Sequence, residues 1–248
     1  MMRANRIVSA LVVIVAILHA ASARAAEAVD LLLVLAADVS RSVDATKFQL
    51  QREGYAAAIS EPQVLNAIRS GANGQIAICF VEWSGLGSQK LVIDWTVIRD
   101  EASARRFGDQ VLEAPRSFAD RTSISTAIDF SMTLFDRAPY QSGRRTIDVS
   151  GDGTNNSGRD IVLARDEATA KGVTINGLVI LSDHPLPWNI EHTNPPGGLA
   201  KYYRDNVVGG PGAFVMVAEN FESFGQAIVK KLIAEIAAAP PHLQAAAR

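Results

Sequence analysis

Oxygen-bearing side chains gather at three places where apolar runs end. Asp38-Val39-Ser40-Arg41-Ser42 follows Leu31-Leu32-Leu33-Val34-Leu35-Ala36-Ala37, so an aspartate and two serines alternate just past a buried strand. Downstream, Thr122-Ser123 and Ser150-Gly151-Asp152-Gly153 put further oxygens at element boundaries. Such donors suit a hard divalent cation such as Mg²⁺, which takes near-octahedral oxygen ligation and keeps several waters. Two carboxylates neutralise the ion, and neutral hydroxyls leave it electrophilic. That is the chemistry of a binding centre rather than a catalytic one. Each group also has a local alternative: Asp38, Ser40 and Ser42 as a helix cap with turn residues, Thr122 as an N-cap, Asp152-Gly153 as a turn. Their joint occurrence argues for the ion.

The frame that must position them reads as alternating strand and helix. A strand apolar on both faces is expected over Val29 to Ala37. A helix from Asp44 to Ile59 follows, capped by Asp44, with Phe48, Leu50, Tyr55 and Ile59 on its apolar side. A helical piece spans Pro62 to Arg69. Strands over Gln75 to Trp83 and Lys90 to Val97 flank the turn Ser84-Gly85-Leu86-Gly87-Ser88 and form an antiparallel hairpin. The glycines of that turn precede no helix, so they are not a phosphate loop. Helices are expected at Asp100 to Leu112, Ser125 to Phe135, Asp160 to Lys171 (ended by Gly172) and Phe221 to Ile236. Strands are expected at Arg145 to Val149, Val173 to Leu181 and Ala213 to Val217. This order implies an α/β fold, a doubly wound and mostly parallel sheet with helices on both faces. Ligands of such sheets bind at the carboxyl ends of strands, at the topological switch point. If the strands before Asp38 and Asp152 are neighbours there, both carboxylates face one crevice.

In order and element context these residues resemble the von Willebrand factor A family across Val29 to Ile236. Its pattern is Asp-x-Ser-x-Ser after the first strand, a Thr opening a later helix, and an Asp-Gly after the fourth strand. Here these are Asp38-Val39-Ser40-Arg41-Ser42, Thr122-Ser123-Ile124-Ser125-Thr126-Ala127-Ile128 and Asp152-Gly153. The surroundings of Thr122 and Asp152 are similar to a subgroup of secreted bacterial proteins with this domain. The resemblance implies a Rossmann-like sheet with one antiparallel edge strand and a metal-ion-dependent adhesion site. Ser40, Ser42 and Thr122 would ligate the ion directly, and Asp38 and Asp152 would act mostly through water while orienting the hydroxyls. The ion would be Mg²⁺, with Mn²⁺ or Ca²⁺ as alternatives, and its open position would accept an acidic residue of a protein partner. Asp120 and Arg121 stand where the family commonly has glycine before the Thr. A simple Asp120–Arg121 pair is expected there, and an insertion is expected around Ile59 to Asn73. Asn155 and Asn156 are expected to brace their loop rather than to touch the ion.

Composition bounds the rest. The 248 residues, 48% hydrophobic and 20% charged, suit one domain with a full core. Arg3 and Arg6, the apolar stretch Ile7 to Ala20 and the small-residue segment ending at Ala26 read as a signal peptide cleaved after Ala25. The expected organisation is a leader (1–25), the domain (26–238) and a flexible tail (239–248), with a periplasmic location. Loss of three leader arginines leaves 21 basic and 26 acidic residues, a net charge of −5. That argues against a nucleic-acid or anionic-membrane binder. No membrane span is expected after cleavage, since no later run is long and apolar enough. The single cysteine, Cys79, reads as a buried small hydrophobe. Ser182 to Gly212 reads as the longest irregular stretch, shaping partner choice with Trp188 as an aromatic anchor or forming a proline-stiffened lid. His184 and His192 match no zinc spacing. The competing functions are a metal-dependent phosphate-ester hydrolase and a scaffold with a vestigial site. Against the first, no second carboxylate follows Asp38 by two residues and no Gly-x-Ser-x-Gly elbow is present.

Overall fold

The computed structural model describes residues 26–181 and 189–237. The expected leader and tail lie outside the described residues, as do His184 and Trp188. Within them the chain runs β1 (Glu27–Ala28), β2 (Leu32–Asp38), α1 (Ala45–Ile59), α2 (Pro62–Arg69), β3 (Ile76–Trp83), β4 (Gln89–Ile98) and α3 (Glu101–Glu113). It continues through α4 (Ile124–Phe135), β5 (Tyr140–Gln141), β6 (Arg145–Gly151), α5 (Ile161–Ala170) and β7 (Val173–Ile180). It ends with α6 (Ile190–Thr193), α7 (Leu199–Tyr202), a π-helical turn (Tyr203–Val207), β8 (Val215–Ala218) and α8 (Phe224–Ala237).

The main sheet has the order β4-β3-β2-β6-β7-β8. All neighbours are parallel except β3 and β4, the expected hairpin, which makes β4 an antiparallel edge. Every residue of β2 and β3 is buried, as a sheet covered on both faces requires. The two faces follow the period of two. Leu31, Leu33 and Leu35 join Tyr55 and Ile59 of α1, Val64 and Ile68 of α2, Phe107 of α3 and Phe224, Ile228 and Leu232 of α8. Leu32, Val34 and Ala36 join Ile124 and Ile128 of α4 and Ala164 and Ala168 of α5. Cys79 lies in that second cluster, fully buried. Full burial of each of these larger side chains contributes about 1.5–3 kcal/mol.

Local chemistry sets the helix ends. Asp44 accepts from the Lys47 N–H (2.9 Å) and Asp160 from the Leu163 N–H (3.0 Å). Asp100 and Ser103 form a reciprocal capping box. Gly172, at φ 75°, ends α5 in the left-handed conformation. One expectation needs correction. Ser182 to Gly212 is not simply irregular, because its described part carries α6, α7 and the π-helical turn. Four-residue helices are too short for apolar periodicity to reveal. The expected helix over Pro62 to Arg69 is present, with Val64, Leu65 and Ile68 in the core. The small β1–β5 pair, two residues per strand, was likewise invisible to pattern.

The last helix is anchored by charge as well as by apolar packing. Lys231 of α8 is fully buried, with its ammonium 2.7 Å from Asp148 Oδ1 of β6 and hydrogen-bonded to Glu235. Asn176 of β7 donates to Glu235 Oε1 (2.8 Å). Burial, then Glu235, push the Asp148 carboxyl up to about 7, with Lys231 opposing the rise. Removing one partner of a buried pair strands the remaining charge. Lys231→Met is therefore expected to lower the unfolding free energy by about 3–5 kcal/mol at pH 8. The deficit should shrink toward pH 5, where a proton on Asp148 replaces the lost ammonium. Urea denaturation across this pH range measures it.

Candidate metal centre

The parallel neighbours β2 and β6 run out at the same edge, with Ala37 in register with Ser150. From β2 the sheet extends one way through β3 and β4, and from β6 the other way through β7 and β8. This is the switch point, and Asp38 and Asp152 stand on either side of it. Asp38, Ser40, Thr122 and Asp152 are each no more than 1% exposed, and Ser42 is 9% exposed. The structure thus brings all five expected residues to one crevice.

Hydrogen bonds fix their relative positions. The Ser40 N–H donates to Asp38 Oδ1 (2.7 Å), folding the first loop over the strand end. The Ser40 and Ser42 hydroxyl oxygens are 3.1 Å apart, and Ser42 donates to Asp152 Oδ1 (2.6 Å), tying β2 to β6. Asn156 Oδ1 accepts from the Thr122 N–H (3.0 Å), and Asn155 Oδ1 from the Ser125 N–H (3.0 Å). The two asparagines therefore do brace a loop, and it is the one that carries Thr122. Glycines on both sides of Asp152 allow close approach: a Cβ on Gly151 would lie 2.6 Å from the Tyr203 hydroxyl, and one on Gly153 2.2 Å from His192 Nε2.

Three contributors escaped sequence reasoning, and a fourth, His192, enters it only as a zinc ligand with His184, which the spacing disfavours. Arg116 donates to the carbonyls of Val39 (2.7 Å) and Ser40 (2.9 Å), stapling the loop before Thr122 to the loop after Asp38. Lys47 donates to the Ser42 carbonyl (3.0 Å) and stands 3.9 Å from Asp152 Oδ2. His192 Nε2 is 3.2 Å from Thr122 Oγ1. The Tyr203 ring is fully buried behind Gly151. An arginine in a loop and a histidine in a four-residue helix carry no local signal of such contacts. One expected contact is corrected: Asp120 takes the Arg121 backbone N–H (2.7 Å), and Arg121 makes no ion pair among the described residues. Its exposed side chain instead joins Arg41, Asp120 and Asn189 around a pocket lined also by Ser42, Thr122, Asn156 and His192.

Electrostatics set this crevice apart. Burial, then the neighbouring Asp152, push the Asp38 carboxyl up to about 8. Burial also raises Asp152, against the Ser42 hydrogen bond and the charges of Lys47 and His192. Burial lowers His192. Asp38 Oδ2 and Asp152 Oδ2 are buried and accept no hydrogen bond from any described residue. Such orphans are costly and call for a missing partner. A divalent cation fits. Two oxygens each about 2.1 Å from one Mg²⁺, at a right angle, are about 3.0 Å apart, close to the Ser40–Ser42 separation. The described residues contain no cluster of three or more His, Cys, Asp or Glu that could hold a metal. A centre here would therefore draw on hydroxyls as well.

A family model described as a protein of unknown function (DUF1194) matches residues 28–240. No curated protein matches the chain. Several solved structures do. A von Willebrand factor type A protein from Catenulispora acidiphila aligns over 84% of this chain and 43% of its own, at 12% identity and TM-score 0.55. Proximal thread matrix protein 1 from the mussel byssus, in a structure with a zinc-occupied MIDAS motif, aligns over 84% and 48%, at 16% identity and TM-score 0.56. The pilus adhesin SpaC from Lactobacillus rhamnosus GG aligns over 85% and 31%, at 11% identity and TM-score 0.56. The chain spans less than half the length of each. At these identities the likeness is one of fold, and the fold is that of von Willebrand factor A domains.

The raised Asp38 group carries a sign. A carboxyl whose folded pKa lies above its unfolded value stabilises fully below the unfolded value, and that stability is lost as pH rises through the folded one. Without divalent cations, the wild type should therefore lose stability between about pH 4 and about pH 8. Asp38→Asn, which cannot ionise, should gain on it across that window in chelator. With saturating divalent cation the order should reverse, because the ion needs the carboxylate. Thermal unfolding in chelator and in Mn²⁺, at several pH values, measures both signs.

Proposed function

The chain belongs to the DUF1194 family, and we propose that it is a secreted, non-enzymatic binding domain. It holds a divalent cation between β2 and β6 and captures an acidic residue of a protein partner. The observation that carries this reading is the pair of orphaned oxygens, Asp38 Oδ2 and Asp152 Oδ2, buried beside three hydroxyls. Asp148 and Glu235 also carry buried oxygens without a hydrogen-bond partner, so the contrast lies in the charge beside each carboxylate. Glu82 is paired with Arg52, and Asp148 and Glu235 with Lys231. Asp38 has no ion-pair partner among the described residues, and Asp152 has only the distant Lys47 with His192 nearby.

Ser40, Ser42 and Thr122 supply neutral oxygens, and Asp38 and Asp152 supply the countercharge while orienting the hydroxyls, as groups behind a metal's ligands do generally. The ion, Mg²⁺ with Mn²⁺ or Ca²⁺ as alternatives, supplies an electrophilic position for an incoming carboxylate. The exposed Arg41 and Arg121 at the pocket mouth favour the approach of an acidic surface. The mussel protein's zinc-occupied motif supports a divalent ion on this fold. The leader-like sequence of residues 1–25 supports export, with the periplasm as destination, the domain over 26–238 and a tail after it. Among the described residues no helix is long and apolar enough to cross a membrane.

An ion that binds only the folded state stabilises it by about 2.7 kcal/mol at 100 times its Kd. Mg²⁺ or Mn²⁺ should therefore raise the melting temperature of the wild type and leave Asp152→Ala and Ser42→Ala unmoved. Retention of a partner from envelope extracts should be lost in chelator and in both variants. A melting temperature indifferent to every divalent ion, with partner retention surviving chelator, would make the domain a scaffold without a working centre.

A further inference from the structure

We propose that His192 is a nitrogen ligand of this centre, so that the chain prefers a borderline ion of the Zn²⁺ class over Mg²⁺. The inference rests on the cation-binding reading above and concerns which ion is taken. His192 belongs to α6, far in sequence from the other site residues, yet its ring is 5% exposed and lies directly over Gly153. The absent side chain of Gly153 is what admits it, since a Cβ would stand 2.2 Å from Nε2. The backbone holds it there too, with the Thr154 N–H donating to the His192 carbonyl (2.9 Å).

The donor spacing is that of two ligands on one ion. His192 Nε2 is 3.2 Å from Thr122 Oγ1. Donors bound at about 2.0–2.1 Å to a common ion are about 2.8–3.0 Å apart at right angles and about 3.3–3.4 Å apart at tetrahedral angles. Ser42, Thr122 and His192 line the same pocket. A ligating Nε2 requires the proton on Nδ1 and an acceptor for it, the arrangement usual behind metal-bound histidine. Thr154 Oγ1, 3.2 Å from Nδ1, is such an acceptor. The Asn156 amide nitrogen, 3.3 Å from Nδ1, favours the other tautomer in the absence of an ion. Binding at Nε2 therefore selects between two tautomers for which the pocket already holds partners. Imidazole is a good ligand for Zn²⁺ and its neighbours, whereas Mg²⁺ prefers carboxylate, carbonyl and water. A centre of hydroxyls and one imidazole, with the two carboxylates behind them, is thereby tilted toward the former. The nitrogen also takes a position that would otherwise be left to water or partner.

The test is titration of tag-free protein with Zn²⁺ and Mg²⁺ separately, for wild type, His192→Ala, His192→Gln and Asp152→Ala. The wild type should bind Zn²⁺ more tightly than Mg²⁺. The His192 variants should lose at least about tenfold in Zn²⁺ affinity with Mg²⁺ affinity nearly unchanged, and Asp152→Ala should lose both. X-ray absorption at the zinc edge of the wild type reads the ligand directly, whatever the variants' stability, and should show imidazole scattering. Mg²⁺ binding with an unchanged Zn²⁺ to Mg²⁺ ratio in the His192 variants, or an oxygen-only zinc shell, overturns the inference and leaves the cation site standing. No binding of either ion by the wild type overturns both.

Discussion

Two carboxyl groups, Asp38 and Asp152, are buried at the ends of adjacent strands, and the architecture around them follows from that constraint. Two negative charges in a low-dielectric crevice repel each other and lack hydration. A proton on Asp38, whose carboxyl is pushed up to about 8 by burial and Asp152, is one way to meet this. A divalent cation would meet it without one. The hydroxyls of Ser40 and Ser42, tied to each other and to Asp152, and that of Thr122, tied to His192, are the neutral donors such an ion would need next. Glycines at 151 and 153 keep side chains from blocking the approach.

The surrounding loops are held by charge and amide contacts that span long sequence separations. Glu82, buried on β3, receives the Arg52 guanidinium and the Ser117 N–H (2.8 Å), and so fixes the loop that leads to Thr122. Arg116 in that loop reaches back to the carbonyls after Asp38. Asn155 and Asn156 close the ring from the β6 side. The loops after β2 and β6 and the α3–α4 loop are therefore one hydrogen-bonded unit. Pre-organisation of this kind would let a centre of neutral hydroxyls hold its geometry without a surplus of charge. Lys47 stands near enough to Asp152 to moderate its charge and far enough to yield to an ion.

Much of this was legible in the sequence. Unbroken apolar runs marked β2 and β3, aspartates marked the starts of α1, α3 and α5, and the short turn at 84–88 marked the antiparallel edge. The spacing of Asp38, Ser40 and Ser42, with Thr122 and Asp152 at later boundaries, foretold one crevice. What stayed hidden depends on tertiary contact alone. Arg116 reads as a loop arginine until its carbonyl partners, 76 and 77 residues away, are in place. His192 has no useful partner in its own neighbourhood, because its partners are Thr122, Thr154 and Asn156. Tyr203 looks like one more aromatic until Gly151 makes room for its hydroxyl. The Asp120–Arg121 pair failed for a local reason: the aspartate found the adjacent backbone N–H first, and the guanidinium was left at the rim.

The most direct test is crystallographic. Crystals of the protein soaked in Mn²⁺, with data collected at the manganese edge, locate the ion without assuming its ligands. The account predicts one anomalous peak within bonding distance of the Ser40, Ser42 and Thr122 hydroxyls, with Asp38 and Asp152 oriented toward it. A peak elsewhere, or none at saturating Mn²⁺, would contradict it and leave the two buried carboxyl groups neutralised by protons alone.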